Sequence, residues 1–487
     1  MTEENKIAQV IELLVNLLGR ERVVSDHASM VIYSREIFMP GSIGLSQGKI
    51  QNLASALCYP ESVDEVSKII SRARANRIPV IVFVAGSGVL VGTAPSHNGI
   101  IIDLKRMKKI RAINRTNHTV EVESGVMCED LERALNQEGF SLGHFPGSFY
   151  HSTVGAWLST SSAGQISAKY GRIKDMVISL EGTLADGSIF RTRRTPRSAT
   201  GPDIDQILLG SDATLAIITS AVLNIFPLPE KKNYRGFGFA DVKSGLDAMR
   251  ELMQKELTPA VLTLFDPAGT KFNQEKLSGP SSGCLLVVGY EAANSELSEL
   301  RARLGFERLK QMGGTDLGEE PGLKWLEHRY SLPFNQSKAV SQSDTLVDTI
   351  EVSVIWKDSF ALYEKVVNEI SKFGIAMAHF SHACREGVYI YFSFAVSDSD
   401  PEKLKEKQQK VWESTMESCL TIGASVSNYP GISLRRAQWL KQELGVGHEL
   451  LQKLKKEIDP DNILNPGKLE LSQEGAPARP SKMEKKE

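Results

Sequence analysis

Apolar residues recur at helical spacing at Ile11, Leu14 and Leu18, which predicts an amphipathic helix over the first twenty residues, packed on the body of the protein. From Ser62 the pattern changes. Ser62 and Glu65 form a capping box, Val63, Val66, Ile70 and Ala73 make one helix face, and Pro79 to Phe83 follow as an apolar strand leading into a glycine loop. Ile100 to Ile102 predict a buried strand and the alternation Val120-Glu121-Val122-Glu123 a half-exposed one, while Leu131, Ala134 and Leu135 mark a helix face that Gly139 stops. Met176 to Thr183 and Ile189 to Thr192 flank Asp186-Gly187, a hairpin signature because glycine tolerates positive φ. Leu215 to Ile225 forms the last strand before Pro227-Leu228-Pro229.

That Pro-rich exit, followed by Glu230-Lys231-Lys232, marks a boundary. Beyond it, strands such as Cys284 to Tyr290 and Tyr389 to Phe394 alternate with charged helices such as Leu297 to Leu309 and Glu402 to Ser414. The fold class is α+β throughout. The segments are an N-terminal helical stretch 1–49, a first domain 50–229, a second 230–430, a C-terminal return 431–470 and a solvated tail 471–487.

Composition narrows the function more than the fold. With 487 residues, 41% hydrophobic and 24% charged, the chain has the mix of a globular cytosolic enzyme. Lys plus Arg number 57 against 59 Asp plus Glu, and a net charge of -2 creates no field to recruit nucleic acid or an anionic membrane. The five cysteines are scattered and never form a CxxC pair, so neither a disulfide frame nor a metal site is expected. An acidic start and the lack of a long uncharged stretch predict a cytoplasmic chain without a transmembrane segment.

The candidate chemistry lies in small residues. In Val84-Ala85-Gly86-Ser87-Gly88-Val89, two glycines flanking a serine let backbone N–H groups converge on a phosphate, although the loop alone reads equally as an ordinary turn. It fits neither the dinucleotide fingerprint, since the third glycine is Gly92, nor the P-loop. Its company favours a ligand. Pro146-Gly147-Ser148, Ser152-Thr153-Val154-Gly155, Ala163-Gly164, Tyr170-Gly171 and Gly210-Ser211 follow, suited to a large ligand lying against backbone.

At these residues the chain resembles the vanillyl-alcohol oxidase and p-cresol methylhydroxylase class of FAD proteins. The features are the GSG loop at 79–89, PGSFxxSTVG at 146–155, SAGxxxxxYGxIxDM at 162–176 and GPDIxxxxxGSxxTLxII at 201–218. Within that class, STVGAWLST, YGRIKDMV, ATGPDI, LRRAQWL and DPDNILNPGKL are similar to the alkyldihydroxyacetonephosphate synthase group. The resemblance implies a two-subdomain FAD-binding domain, an α+β substrate domain and a helical C-terminal return. It implies a noncovalent FAD with its pyrophosphate at Ala85, Gly86, Ser87, Gly88 and Val89. The isoalloxazine would be approached by Pro146, Gly147, Ser148, Ser152, Thr153, Gly155, Ala156, Ala163, Gly164, Tyr170 and Gly171, and the adenosine part by the stretch holding Asp212, Ala213, Ile217 and Ile218. His97 reads as an exposed turn residue rather than an attachment point.

Departures from the pattern concentrate in the catalytic half. Val84, Ala85, Ala213 and Ala216 stand where the class has glycine, and Ser427-Asn428-Tyr429-Pro430-Gly431 replaces the synthases' histidine run. Thr263 and Gln336 align with synthase arginines, and a neutral side chain cannot replace a bidentate cation. His144 and Tyr391 match a histidine and a tyrosine of the synthases, and His382 a dehydrogenase histidine; these three are the catalytic candidates. Each also has a purely structural reading. Arg435 and Arg436, the nearest cations to the altered segment, read as binders of an anionic substrate or, more commonly for such residues, as helix-surface cations, and Glu351 as an isolated strand carboxylate at a position that could face the flavin. The expected function is an FAD-dependent oxidoreductase acting on a small hydroxylated, 2-hydroxy-acid-like molecule. The alternatives are a synthase-like transferase of ether-lipid synthesis and a flavin-binding protein without catalysis. A homodimer is compatible with the sequence.

Overall fold

The computed structural model describes residues 3–34, 52–88, 95, 98–331, 344–428 and 431–471. The first helix is Glu3–Leu18, and its Val10, Leu14 and Leu18 are buried with Val66, Ile69 and Ile70 of the helix Val63–Ala75. Ser62 caps that helix by accepting the Glu65 N–H at 3.2 Å. The Glu65 carboxylate turns instead to the Glu61 N–H and to Arg22, so only one arm of the expected capping box forms. Strands Ala56–Cys58, Ile100–Asp103 and Val80–Phe83 lie parallel, with Val23–Val24 antiparallel at the edge. Their unbroken apolar runs suit a sheet covered on both faces.

A five-stranded antiparallel sheet follows in the order Ile110–Asn114, Thr119–Glu123, Ile217–Asn224, Val177–Thr183, Ile189–Arg191. The Asp186-Gly187 hairpin is present, with Gly187 at φ 87°. Met176 closes a short helix, Ile173–Met176, and Thr192 lies past its strand. Thr119–Glu123 is set deeper than its alternation suggests: strands flank it on both sides, and Glu123 is buried against Arg111 and the Lys109 N–H.

From Lys231 the chain builds a seven-stranded sheet in the order Thr315–Asp316, Lys231–Phe239, Cys284–Ala292, Val261–Phe265, Ile375–Ala383, Gly387–Ser397, Thr345–Ile355. Helices Val242–Gln254, Ser359–Ser371 and Pro401–Ile422 cover one face and seal a core around Phe237, Phe380, Phe392, Phe394 and Trp412. The last of these helices passes its expected end at Ser414 and stops at Gly423, φ 84°. The opposite face packs Val261, Phe265 and Val287 on Ile166 and Phe145, so the candidate segments of the first half lie against it.

After Gly431 the chain returns to the N-terminal unit, where Ile463 and Leu464 enter the first core and the Val80 N–H donates to the Ile463 carbonyl at 2.7 Å. Leu471, assigned to the tail from sequence, is buried with Leu440 and Leu469 because the last turn folds back on the helix Ala437–Leu444. Residues 472–487 lie outside the described residues. Among the described residues no helix is long and apolar enough to cross a membrane.

Candidate functional site

The glycine loop leaves its strand with Gly86 at φ 66°, and a Cβ there would stand 2.6 Å from the Phe83 ring. Val84 turns into the N-terminal core and is buried, and neither it nor Ala85 has positive φ, so losing glycine at these positions costs no backbone strain. Beside it the surface is open. A Cβ on Gly88 or on Gly147 would meet no atom of the described residues within 4 Å. Val89 and His97 lie outside the described residues. Gly155 and Gly164 are packing glycines instead, where a Cβ would approach the Ser124 Cβ and the Phe145 backbone nitrogen at 2.6 Å.

The hydroxyl residues divide similarly. Ser152 accepts the Trp157 indole N–H at 2.9 Å, whereas the buried Thr153 hydroxyl has no hydrogen-bond partner among the described residues. Ser148 ends the Pro146 turn, Ala156 lies on the helix Val154–Thr160, and Ala163 is buried just before Gly164. The Tyr170 hydroxyl donates to Glu291 at 2.7 Å, tying the first half to the large sheet, and Gly171 follows at φ 83°. Asp212 and Ala213 occupy left-handed conformations, φ 50° and 56°, in a turn closed by Thr214 N–H to Ser211 carbonyl at 2.9 Å. Asp212 accepts the Ser433 hydroxyl at 2.7 Å, and Ile217 and Ile218 continue as buried strand residues.

On the large sheet, His379 lies opposite Tyr391 and His382 opposite Tyr389. Residues three apart on a regular strand face opposite ways, but a register shift between Phe380 and His382 turns both imidazoles to one side. Their rings stack on the tyrosines with centroids 4.7 and 4.2 Å apart. Glu351 pairs with Tyr391 from the neighbouring strand. Thr263 donates its hydroxyl to the Ser381 carbonyl at 2.8 Å and so anchors the bulge.

His144 comes from the first half, buried edge-on to Trp157 with Nε2 3.0 Å from the Ser162 hydroxyl. Its Nδ1 and both ring nitrogens of His382 have no hydrogen-bond partner among the described residues. Burial pulls the pKa of each down to about 3, and in both cases the Arg172 charge adds to the effect. Arg172 therefore lies within electrostatic reach of both histidines, although nothing in its spacing singles it out. Its Nη2 donates to the Ser161 carbonyl at 2.9 Å and to the Asn428 carbonyl, and its guanidinium stands 6.0 Å from the Tyr389 ring centre. Asn428 is buried with both carboxamide atoms unpartnered among the described residues. Tyr429, Pro430 and Gln336 lie outside them.

Two surface assignments do not hold. Arg436 is fully buried, 2.9 Å from Glu351 and donating to the Glu351 and Val426 carbonyls; Glu351 is thus paired rather than isolated, its pKa raised by burial and held back by that arginine. Arg435 pairs with Asp348 at 2.9 Å and lies over Trp412. Both precede the helix Ala437–Leu444, in the turn 433–436, and lay their guanidinium groups against Trp412.

Two family models match: an FAD binding domain over residues 54–193 and the C-terminal domain of FAD linked oxidases over residues 228–469. The chain is 28% identical to alkyldihydroxyacetonephosphate synthase of Dictyostelium discoideum, covering 87% of this chain and 74% of that one. It is 25% identical to glycolate oxidase subunit GlcD of Bacillus subtilis, covering 94% and 96%. A solved alkyldihydroxyacetonephosphate synthase shares the fold with a TM-score of 0.78 at 24% identity, over 94% of this chain and 84% of that one. The residues fit the cofactor these models name. Among the described residues nothing stands within 4 Å of a Cβ at Gly88 or Gly147, the Thr153 hydroxyl is unpartnered, and Val84 turns inward.

Proposed function

Since the chain belongs to the FAD-binding proteins of the vanillyl-alcohol oxidase and p-cresol methylhydroxylase class, related to the alkyldihydroxyacetonephosphate synthases, we propose that it is a synthase-type transferase. It exchanges an acyloxy group on a small ketone-bearing substrate for an alcohol. The carbon–oxygen bond to the carboxylate breaks, one to the alcohol forms, the alcohol's proton leaves with the carboxylate, and no oxidant is consumed. Bound FAD supplies an acceptor for an electron pair at the substrate carbon. The chain contributes the backbone N–H groups of Gly86, Ser87 and Gly88 to hold the cofactor, and His144, His382 and Tyr391 to handle the proton.

The observation that carries this reading is the pair of buried imidazoles gathered at Arg172, each with its pKa lowered to about 3. Such a base retains a proton poorly near neutral pH. That suits a reaction that only relays a proton from incoming alcohol to leaving carboxylate. It suits less well an oxidation in which the base must keep the proton.

A second reading, oxidation of a 2-hydroxy acid with His144 or Tyr391 as proton acceptor, draws support from the near-complete coverage of the glycolate oxidase subunit. One anaerobic experiment on the FAD-loaded protein separates the two. Acyl-glycerone phosphate with a labelled long-chain alcohol is expected to give labelled ether and free fatty acid without bleaching of the flavin band. Absence of the ether, together with bleaching by glycolate or lactate, would overturn the transferase reading in favour of the oxidase.

A further inference from the structure

Most cations around the candidate site are committed elsewhere. Arg436 is engaged by Glu351, Arg435 by Asp348, and Lys169 by the Tyr170 hydroxyl and the Glu291 carbonyl. Arg329 lacks an ion pair among the described residues but lies over the rings of Phe145, Trp325 and Tyr330; Arg172 stands beside the Tyr389 ring on which His382 stacks. It forms no ion pair among the described residues, and only its Nη2 donates, to two backbone carbonyls. The Nε–H is sealed from solvent without an acceptor, and Nη1 makes no hydrogen bond among the described residues. A half-buried guanidinium whose Nε–H is sealed without an acceptor leaves a charged donor unsatisfied, and an anionic oxygen would satisfy it.

We propose that Arg172 is the anion-binding cation of the site, taking the phosphate or carboxylate of the substrate. Its surroundings suit that task. The two backbone carbonyls fix the guanidinium from one side, and the unpartnered Asn428 carboxamide and His382 imidazole, both buried, offer neutral donors for the remaining oxygens. Glu351, the carboxylate on the same sheet face, is occupied by Arg436 and does not compete. The cation stands on the FAD-domain half, at the start of the helix Ile173–Met176, and its hydrogen bond to Asn428 reaches the other half. Substrate capture and the seam between the two halves therefore share one side chain. The proposal extends the transferase reading but also holds for a 2-hydroxy acid, because both substrates carry an anion.

The test uses the FAD-loaded full chain, titrated at constant ionic strength with glycerol 3-phosphate in one arm and oxalate in the other, following the flavin band. One probe is expected to perturb the band saturably, and which one does so identifies the anion. Arg172→Met is expected to weaken that probe by tenfold to a hundredfold with flavin content unchanged, and Arg172→Lys to lie between. Millimolar guanidinium added to Arg172→Met is expected to restore part of the affinity, which a merely structural role would not produce. The proposal is overturned if neither probe binds the parent protein, or if Arg172→Met binds as tightly while its flavin reduction potential shifts, which would assign the cation to the flavin. Anion binding is read without turnover, so a failure of the transferase reading leaves this outcome standing or falling by itself.

Discussion

His379 and His382 present their rings to the same face of the seven-stranded sheet because the bulge at Ser381 inserts one extra residue between them, and Thr263 holds that bulge through the Ser381 carbonyl. Two consequences can be measured. His382→Leu is expected to slow exchange by roughly a hundredfold or more, the usual range for a lost proton-handling group, with FAD retained. Thr263→Val, which touches no ligand, is expected to slow it about tenfold by loosening the bulge. Single-turnover rates on flavin-loaded protein decide both; a Thr263→Val rate equal to the parent's would disconnect the bulge from the chemistry.

The same bulge explains what sequence could and could not convey. The elements that make the cofactor half were legible because each carries a local signal: a periodic helix face at Val63 to Ala73, an apolar strand before the glycine loop, a glycine at the hairpin. His382 was legible as a candidate, but its facing was not, since period-two alternation sets it opposite to His379 and a bulge leaves no mark in composition. Arg172 escaped for a related reason. It occupies a variable place in a motif read for its glycine and tyrosine, and its meaning comes from long-range neighbours, Asn428 and the two histidines. Arg435 and Arg436 were misplaced because adjacent charges look solvated until their long-range partners, Asp348 and Glu351, are known.

Acid lability follows from the histidines. Burial first, with the Arg172 charge adding for the first two, holds the pKa of His144 and His382 at about 3 and that of His379 at about 4 in the folded protein, against 6.5 for exposed imidazoles. Their folded pKa values are depressed, so the unfolded chain binds more protons between about pH 4 and 6.5. The stability they confer is complete above about 6.5 and is lost as the pH falls, at up to about 1.4 kcal/mol per pH unit for each. The urea midpoint is expected to drop steeply from pH 7 to pH 5. His379→Phe, which can keep the stack with Tyr391, is expected to flatten that slope by about a third.

The Glu351–Arg436 pair predicts strong non-additivity. Arg436→Met leaves the Glu351 carboxylate buried without its cation, a loss of about 3–5 kcal/mol. Combining it with Glu351→Gln is expected to recover a large part, because the second change removes the stranded charge. Equilibrium unfolding of the parent, both single variants and the double variant gives the coupling; additive losses would mean that the pair is not a unit.

Ala213 sits at φ 56°, where an L side chain costs roughly 1 kcal/mol or more, while Ala216 three residues on does not have positive φ. Ala213→Gly is expected to raise the thermal midpoint and Ala216→Gly to lower it. Opposite signs from one chemical change would show that the turn, rather than glycine content, governs this stretch; a lower midpoint for Ala213→Gly would mean that the turn relaxes in solution.

Gly88 and Gly164 separate cofactor space from packing space. At Gly88 an added Cβ meets no atom of the described residues within 4 Å, so Gly88→Val is expected to fold normally, with a circular dichroism spectrum like that of the flavin-free parent. If FAD phosphates lie against this loop, the same change excludes them and the purified variant is colourless. At Gly164 even a methyl group approaches the Phe145 backbone nitrogen at 2.6 Å, so Gly164→Ala must shift main chain and is expected to lower stability whether or not flavin is present. Flavin content per chain and the melting midpoint of the apoprotein, measured on both variants, form a two-by-two comparison. A Gly88→Val protein that keeps a full complement of FAD would move the phosphate site away from this loop, because no protein contact is lost there to blur the result.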